Sequence, residues 1–247
     1  MRKARIYVDS KLEEGGRIRL EGEQARYLRR VLRLQAGAEF IVFDGRGGEY
    51  PARVERAARD AMEARVGAFI ATERESPLDI TLVQGLSRSE RMDFAVQKAV
   101  ELGVRAIAPV ATERSVVRLD DARRLRRVEH WRSIAVNACQ QCGRTRLPRI
   151  EAIASLDEWL EKRFDPGTAA FVLSADANLT PAELEPGDRV VLLVGGEGGL
   201  SDAEMRRVNQ SGFKPLALGP RILRTETAAL AALTALQLVC GDLSPRC

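Results

Sequence analysis

One stretch near the end of the chain constrains the fold more than any other: an unbroken apolar run that leads directly into a glycine-rich turn. Residues 190–194 (VVLLV) are apolar throughout, as expected of a strand that is covered on both faces. Residues 195–200 (GGEGGL) follow at once, and Ser201 and Glu204 then have the spacing of a capping box that starts a helix. Parallel sheets are built from such strand–turn–helix units, and they bind ligands beyond the carboxyl ends of their strands.

Strand and helix patterns alternate along the whole chain from residue 78 onward. Apolar strands are predicted at 78–84, 104–110, 169–173, 189–194 and 214–218. Helices are predicted at 89–102, 120–142, 155–162, 201–210 and 225–239. The alternation predicts an α/β domain in which helices cover both faces of a mostly parallel sheet.

The first 70 residues have a different pattern, with short strand-like segments and one helix. Strands are predicted at 5–8, 17–20, 39–43, 49–55 and 62–69, and the helix at 23–34 has Tyr27, Leu28, Val31 and Leu32 at helical spacing. This is typical of a small β-barrel module. Because residues 71–77 (ATERESP) are polar and end in proline, we predict a linker there and two domains, 1–71 and 72–247.

The charge of the chain is divided unevenly between its two parts. Residues 1–150 carry 30 basic and 21 acidic side chains, whereas residues 151–247 carry 9 and 14, so the parts have net charges of +9 and −5. A basic part joined to an acidic part indicates that the former meets a polyanion. The most apolar segment, residues 228–239, is shorter than the roughly 20 residues of a membrane span. We therefore expect no membrane partner and a cytoplasmic location.

We call residues 193–200 the first glycine elbow. Its four glycines let the backbone approach a ligand without obstruction from Cβ atoms. The Gly-Lys-Ser/Thr of a phosphate-binding loop is absent, and Ser201 stands where the dinucleotide fingerprint needs its third glycine. Glu197 suits a cation or a ribose hydroxyl better than a phosphate, which favours a cofactor such as S-adenosylmethionine. On this loop alone, a cofactor site and a plain tight turn with Glu197 in solvent are equally supported.

The second glycine elbow, residues 218–227 (LGPRILRTET), follows another short apolar strand. Thr225 is predicted to cap the final helix. Arg221 and Arg224 flank the apolar pair Ile222 and Leu223. This arrangement lets a flat apolar ring rest on the apolar pair while the two arginines bind an anion. The alternative is a capped helix with two surface arginines. Two elbows at the ends of neighbouring strands favour a shared pocket.

Cys139 and Cys142 have the spacing of a zinc or redox pair, but they lie inside the predicted helix 120–142. A zinc site needs about four ligands, and the sequence offers no second close pair of cysteine or histidine. Because positions i and i+3 share a helix face, we favour a buried structural pair over a metal site or a disulfide. No metal is expected.

Several ordered motifs resemble the RsmE family of bacterial ribosomal RNA methyltransferases, part of the SPOUT superfamily. The most specific motifs are LGPRILRTET at 218–227, LVGGEGGLS at 193–201 and QCGR at 141–144. ERESPL at 73–78, QKAVELG at 97–103 and RIY at 5–7 add to the match, which extends over nearly the whole chain.

The resemblance implies methylation of N3 of a specific uridine in small-subunit (16S) ribosomal RNA, with S-adenosylmethionine as cofactor and free RNA or the 30S particle as substrate. It implies a PUA-like β-barrel that helps bind RNA, followed by a SPOUT α/β domain. The C-terminal region of that domain threads into a trefoil knot, which the usual topological rules disfavour. A homodimer with the active site near its interface is also implied.

The resemblance also assigns the site, with the two elbows forming the knot and the cofactor pocket. The candidates for catalysis are Arg221 or Arg224 for charge stabilisation, Arg5 as a further cation, and Glu197 as a cofactor or proton contact. The predicted cofactor-binding residues are Leu173, Gly195, Gly196, Glu197, Gly198, Leu218, Gly219, Ile222, Leu223, Thr225 and Thr227. The family commonly has proline in place of Gly196, so the loop is expected to be looser here. It commonly has glutamate in place of Gln140, which puts an acid–base role there in doubt.

Two other functions stay open at this point. One is a SPOUT methyltransferase that acts on another RNA position or on transfer RNA, because target choice resides in the basic N-terminal part. The other is a non-catalytic RNA-binding factor for ribosome assembly, which would not bind S-adenosylmethionine.

Overall fold

The computed structural model describes residues 3–115, 120–162, 164–185 and 187–243. The described chain forms two compact units. The first unit contains residues 3–75 and also residues 139–147, and the second contains the remainder. The first unit is therefore discontinuous in sequence.

The first unit is a five-stranded sheet with the order β1-β3-β4-β5-β2. Its strands are β1 (Arg5–Tyr7), β2 (Arg17–Glu21), β3 (Glu39–Phe43), β4 (Tyr50–Ala57) and β5 (Ala61–Val66). β1 pairs with β3 in parallel, and the remaining pairs are antiparallel. The register shifts between Val54 and Arg56, which curls the sheet around one apolar core. The predicted strands are present, with ends that differ by at most three residues.

The prediction of one continuous α-helix at 23–34 is wrong. The segment begins as helix α1 (Gly22–Arg26) and continues as a π-helical turn, Tyr27–Val31. Leu28 is fully buried, but Tyr27 and Val31 are 47% and 63% exposed, so the predicted apolar face does not pack as a unit. Arg33 then takes a φ of +54°, which ends the helical path.

The second unit is a seven-stranded sheet in which every pair is parallel. The order is β12-β10-β11-β6-β7-β8, and β9 also pairs with β7. The strands are β6 (Asp79–Gly85), β7 (Ala106–Ala111), β8 (Arg149–Ile150), β9 (Ala154–Ser155), β10 (Ala169–Leu173), β11 (Arg189–Val194) and β12 (Lys214–Leu216). The predicted parallel α/β sheet is confirmed. β8 and β9 were not predicted, because strands of two residues leave no periodicity to detect.

Helices connect or follow these strands. They are α2 (Ser89–Glu101), α3 (Asp121–Cys142), α4 (Leu156–Leu160), α5 (Asp202–Gln210) and α6 (Thr225–Val239), with a 3-10 turn at Pro181–Glu183. Gly103 follows α2 with a φ of +83°, which suits its predicted place at the helix end. Trp159, Phe164 and Phe213 pack together in the core of this unit.

No helix in the described part of the chain has both the length and the hydropathy that a membrane crossing requires.

Candidate functional site

The carboxyl ends of four neighbouring strands of the second unit meet at one edge of the sheet. Leu173 at the end of β10 lies opposite Leu216 of β12, and Val194 at the end of β11 lies opposite Gln84 of β6. The chain leaves β6 toward β7 on one side and leaves β11 toward β12 on the other. Loops that diverge in this way open a crevice, and open α/β sheets bind their ligands in such crevices.

The first glycine elbow leaves the sheet beside this crevice. Gly199 has a φ of +66°, and its N–H donates to the Gly196 carbonyl oxygen over 3.0 Å, which closes the turn. The Ser201 hydroxyl accepts from the Glu204 N–H, and the Glu204 carboxylate accepts from the Ser201 N–H. The predicted capping box is therefore confirmed, and it holds the start of α5 directly after the elbow.

The backbone of this elbow touches the end of β6. A Cβ atom on Gly85 would lie 2.2 Å from the Gly196 nitrogen, and one on Gly196 would lie 2.7 Å from the Leu86 carbonyl oxygen. A Cβ atom on Gly198 would likewise lie 2.8 Å from the Arg114 Cβ. Side chains at these positions would push the elbow away from the sheet.

The second glycine elbow leaves β12 at the same edge. Gly219 turns it with a φ of +94°. Ile222 is 93% exposed, and Arg221 and Arg224 are also exposed. Neither arginine forms an ion pair with a carboxylate in the described part of the chain, so both cations are available to an anionic group.

Thr225 joins the two elbows, although not as the predicted helix cap. Arg224 occupies the cap position, and Thr225 is the first residue of α6. The Thr225 hydroxyl is buried, where it lies 2.6 Å from the Gly195 carbonyl oxygen and accepts from Gln84 Nε2 over 2.8 Å. Gln84 Nε2 uses its other hydrogen on the Gly85 carbonyl oxygen. The Thr225 hydroxyl donates to the Gly195 carbonyl oxygen, since a carbonyl oxygen can only accept.

Glu197 turns back from the first elbow onto the start of α2. Its Oε1 accepts from the Arg88 N–H over 3.1 Å, and its Oε2 lies 3.0 Å from Arg91 Nη1. Arg91 Nε also lies 3.9 Å from Glu226 Oε1 of α6. One guanidinium thus lies between a carboxylate of the first elbow and a carboxylate of the second.

Arg5 lies in the first unit, in a buried network. Its guanidinium pairs with Glu49, donates to the Arg144 carbonyl oxygen over 2.9 Å and stacks over Phe43. Arg144 in turn pairs with Glu75, and its Nε lies 2.9 Å from Glu75 Oε2. Residues of the RIY, ERESPL and QCGR motifs therefore meet in one place.

The segment predicted as a linker contributes to that network. Arg74 Nη1 donates to the Gly143 carbonyl oxygen over 2.8 Å, and the Thr72 carbonyl oxygen accepts from the Thr145 hydroxyl. The linker predicted over 71–77 is thus held by hydrogen bonds at Thr72 and Arg74, and the division between the two units falls inside it, after Glu75. Gln140 accepts from the Tyr7 N–H over 3.0 Å, a bond that a glutamate would also make.

The two cysteines of the helical pair differ in burial. Cys139 is fully buried, whereas Cys142 is only half-buried. The predicted burial is therefore correct for Cys139 and not for Cys142. Burial raises the pKa of the Cys139 thiol to about 12, which keeps it protonated and unsuited to metal binding or nucleophilic attack at neutral pH. Both thiols are free, and the described residues contain no cluster of three potential metal ligands.

The structure thus brings one group of the predicted site residues together at the carboxyl edge and leaves Arg5 in the first unit. A direct contact joins the two elbows through Gly195 and Thr225, while Gly196 lies against the end of β6. Leu218 and Leu223 are half-buried in the second elbow, and Thr227 is exposed on α6. Sequence reasoning missed Gln84, Arg91 and Glu226. The only local signal for them was a polar residue at the end of an apolar strand, at Gln84.

Comparison with known proteins agrees with this geometry. The RNA methyltransferase domain family matches residues 74–237, and the RNA methyltransferase PUA domain family matches residues 20–67. A ribosomal RNA small subunit methyltransferase E from Buchnera aphidicola subsp. Schizaphis graminum is 35% identical over 241 residues, covering 97% of this chain and 98% of the relative. The protein of that name from Bacillus subtilis is 31% identical over 243 residues, covering 94% and 95%.

A solved structure extends the likeness to three dimensions. The ribosomal RNA small subunit methyltransferase E of Neisseria gonorrhoeae, bound to S-adenosyl methionine, matches with a TM-score of 0.91 at 36% identity, covering 98% of this chain and 100% of that one. A parallel-sheet RNA methyltransferase domain preceded by a PUA-like domain is the class of protein that fold and sequence define. Within that class, the chain belongs to the ribosomal RNA small subunit methyltransferase E family, the RsmE family. The predicted family and SPOUT-type fold are confirmed, and the trefoil knot stays a prediction.

Proposed function

We propose that this protein transfers a methyl group from S-adenosylmethionine to N3 of a specific uridine in small-subunit ribosomal RNA. The observation that carries the proposal is the junction of the two glycine elbows through Thr225 at the carboxyl edge of the sheet, in a chain of the RsmE family.

The residues at this edge fit S-adenosylmethionine. Glycines at 195, 196 and 198 have no Cβ atoms of their own, so a cofactor can approach the backbone of the first elbow closely. The exposed Ile222 and half-buried Leu223 offer apolar surface for an adenine ring. Neither elbow has a lysine, which suits a cofactor without phosphate. Leu173, Leu218, Gly219 and Thr227 complete the proposed cofactor-binding set. When bound, the cofactor supplies an electrophilic methyl group on its sulfonium.

The main task of the chain is to align uridine N3 with that methyl group and to stabilise negative charge on the uracil oxygens as the N3 proton leaves. The proposal assigns charge stabilisation to Arg221 and Arg224, because both are exposed on the second elbow and form no ion pair with a described carboxylate. Arg5 is assigned a structural role, since Glu49 already neutralises its guanidinium. The target uridine must be unpaired or drawn out of its stack to reach the elbows.

Glu197 is assigned a positioning role. Its two oxygens are bound to the Arg88 N–H and to Arg91, so it fixes the first elbow against α2. Glu197→Gln keeps an acceptor for the Arg88 N–H, whereas Glu197→Ala removes it. We expect Glu197→Gln to retain most of kcat and Glu197→Ala to raise the KM for S-adenosylmethionine. If Glu197→Gln abolished kcat without changing cofactor affinity, Glu197 would instead be the proton acceptor.

The proposal extends to the organisation of the protein. Residues 1–71 form the core of the RNA-binding PUA-like module, and residues 72–247 form the methyltransferase domain. The protein acts in the cytoplasm as a homodimer on ribosomal RNA or the 30S particle. Sedimentation that shows a monomer at working concentration would remove the dimer from the proposal.

Mass spectrometry of ribosomal RNA from a strain that lacks the gene tests the reaction. We expect one uridine of the small-subunit RNA to lose its N3 methyl group, and the purified protein to restore it in vitro. Arg224→Ala is expected to lower kcat by about 10²-fold, the scale of losing one charge-stabilising donor. Full activity of that variant would contradict the role of Arg224.

The same experiments separate the alternatives. A methyl group lost from another RNA position or from transfer RNA would identify a SPOUT enzyme of different specificity. An absence of calorimetric S-adenosylmethionine binding would identify a non-catalytic assembly factor.

A further inference from the structure

The N-terminal half of α3, in the second unit, carries a group of arginines that the proposed reaction does not use. Arg123 and Arg132 pair with Asp120 and Glu129 of the same segment. Arg126 is exposed, and its Nε donates to the Ala122 carbonyl oxygen of its own helix. Within the described residues, neither Arg126 nor its neighbour Arg127 has a carboxylate partner.

Arg127 connects this helix face to the first glycine elbow. Its Nη2 donates to the Ser89 hydroxyl over 3.2 Å, while its Nη1 is buried with no hydrogen-bond acceptor in the described chain. Arg88, the residue before Ser89, donates its N–H to Glu197 of the first elbow. The Arg88 side chain is 73% exposed, and its Nε forms a long ion pair with Glu197 Oε2 over 3.8 Å. Arg127 of α3 is therefore linked to the elbow through Ser89, the first residue of α2, and Arg88, which precedes it.

Arg114 lies against the same elbow from another segment of the second unit. Its Nη1 donates to the Leu200 carbonyl oxygen over 3.2 Å and lies 3.5 Å from the Gly198 carbonyl oxygen. No described carboxylate forms an ion pair with it, and the side chain is exposed. We call Arg88, Arg114, Arg126 and Arg127 the arginine track.

We infer that the arginine track binds the phosphates of the RNA strand that flanks the target uridine. Arg114, Arg126 and Arg127 have no carboxylate partner among the described residues, and Arg88 remains largely exposed beside Glu197. An exposed guanidinium is a strong, planar donor for phosphate oxygens. The strand next to a nucleotide held at the elbows must run across the neighbouring surface. Arg88 and Arg114 contact the first elbow there, Arg127 is linked to it through Ser89, and Arg126 is next to Arg127 in the chain. Binding of the substrate is thus shared between the PUA-like module and the methyltransferase domain itself. This inference rests on the proposed function, because it takes the elbows as the reaction site.

Charge removal on α3 tests the track in the full-length protein saturated with S-adenosylmethionine. The variants are Arg126→Gln, Arg127→Gln and the double substitution, and the probe is a fluorescent fragment of small-subunit ribosomal RNA. Fluorescence anisotropy gives the Kd for this RNA from about 50 to about 200 mM KCl, the range over which phosphate contacts dominate. Each lost contact is expected to lower the slope of log K against log salt by about 0.7, and the double variant by about 1.4.

The expected kinetic result is a KM for RNA about tenfold higher in the double variant, with kcat changed less than about twofold. S-adenosylmethionine affinity and melting temperature are expected to stay at wild-type values. Arg127→Lys keeps the charge and is expected to keep the slope. The matched control is Arg105→Gln, an exposed arginine at the opposite, amino edge of the sheet, next to β7.

Wild-type Kd and salt slope in the double variant would overturn the inference while leaving the proposed function intact. Wild-type protein that binds the RNA through the track but methylates none of it would uphold the track and contradict the proposed function. An equal effect of Arg105→Gln would show non-specific charge attraction and would also overturn the track.

Discussion

At the scale of single residues, the central feature is the hydroxyl of Thr225. It donates to Gly195 and accepts from Gln84, so one buried atom group connects the first elbow, the second elbow and the end of β6. Loss of that hydroxyl would leave the Gly195 carbonyl and a Gln84 hydrogen without these partners. A buried polar group left without its bond costs about 1–3 kcal/mol.

Thr225→Val keeps the shape of the side chain and removes the hydroxyl. We expect it to weaken S-adenosylmethionine binding about tenfold, because the two elbows lose their connection. Thr225→Ser keeps the hydroxyl and is expected to bind within about threefold of wild type. Isothermal titration calorimetry measures both. Equal affinity of Thr225→Val and wild type would show that the elbows hold their positions without this bond.

Cys139 gives a second prediction at this scale. Burial raises its pKa from 9.0 to about 12, so the folded protein holds the thiol proton more tightly than the unfolded chain. The resulting stabilisation is complete below pH 9 and is lost as the pH rises from 9 toward 12. Between about pH 8 and about pH 10, this one group lowers the free energy of unfolding by about 1.4 kcal/mol.

Urea denaturation of wild type and Cys139→Ala at both pH values measures this contribution. The other titrating groups are common to both proteins and cancel in the comparison. We expect the free energy of unfolding to fall less with pH in the variant. Parallel pH dependences would contradict the raised pKa.

At the scale of elements, the first elbow keeps its place because glycine backbones pass each other without side chains. Gly85 at the end of β6 is the narrowest point, since a Cβ there would meet the Gly196 nitrogen at 2.2 Å. That atom belongs to the backbone, so relief requires the elbow or the strand to move.

Gly85→Ala is expected to destabilise the protein by about 1–3 kcal/mol, the usual cost of overpacking. Because the displaced segment is the elbow, we also expect a large loss of S-adenosylmethionine affinity. Gly187→Ala is the matched control, since its Cβ would find only one neighbour, at 3.6 Å. Thermal melting and calorimetry of both variants check this. Similar behaviour of the two would show that the elbow adjusts freely.

At the scale of the whole molecule, the first unit is completed by residues distant in sequence. Arg144 and Glu75 are 4% and 8% exposed, and the Arg144 backbone also receives the guanidinium of Arg5. A fragment that ends at residue 71 lacks both members of this pair. The domain boundary at 71 stays a prediction.

Arg144→Leu would leave Glu75 buried without its partner, which costs about 3–5 kcal/mol. Adding Glu75→Leu is expected to recover most of that loss, because an apolar pair needs no compensating charge. Lys11→Ala breaks an exposed pair with Glu13 in the same unit and is expected to cost less than about 1 kcal/mol. Urea denaturation followed by circular dichroism measures all three. A double variant as unstable as Arg144→Leu would show that the loss comes from packing.

Local patterns were sufficient to predict most of the elements of the second unit. The strand Arg189–Val194, the capping box at Ser201 and the helix Thr225–Val239 were predicted with their observed bounds. Each depends on residues a few positions apart, through apolar runs, cap spacing and glycine turns. The π-helical turn at Tyr27–Val31 was missed, because its apolar residues have ordinary helical spacing and their burial depends on the surrounding sheet.

The sequence by itself determined the parallel α/β class, the two glycine elbows and the RsmE family, since these follow from short-range patterns and ordered motifs. Only the tertiary structure decided how the elbows are held. Thr225 reaches Gln84 across 141 residues of sequence, and Glu197 reaches the Arg88 N–H across 109. Which strands become neighbours depends on packing of the whole sheet, and no local spacing encodes it. For the same reason, only the structure showed Glu197 bound at the start of α2 and Arg127 of α3 connected to the first elbow.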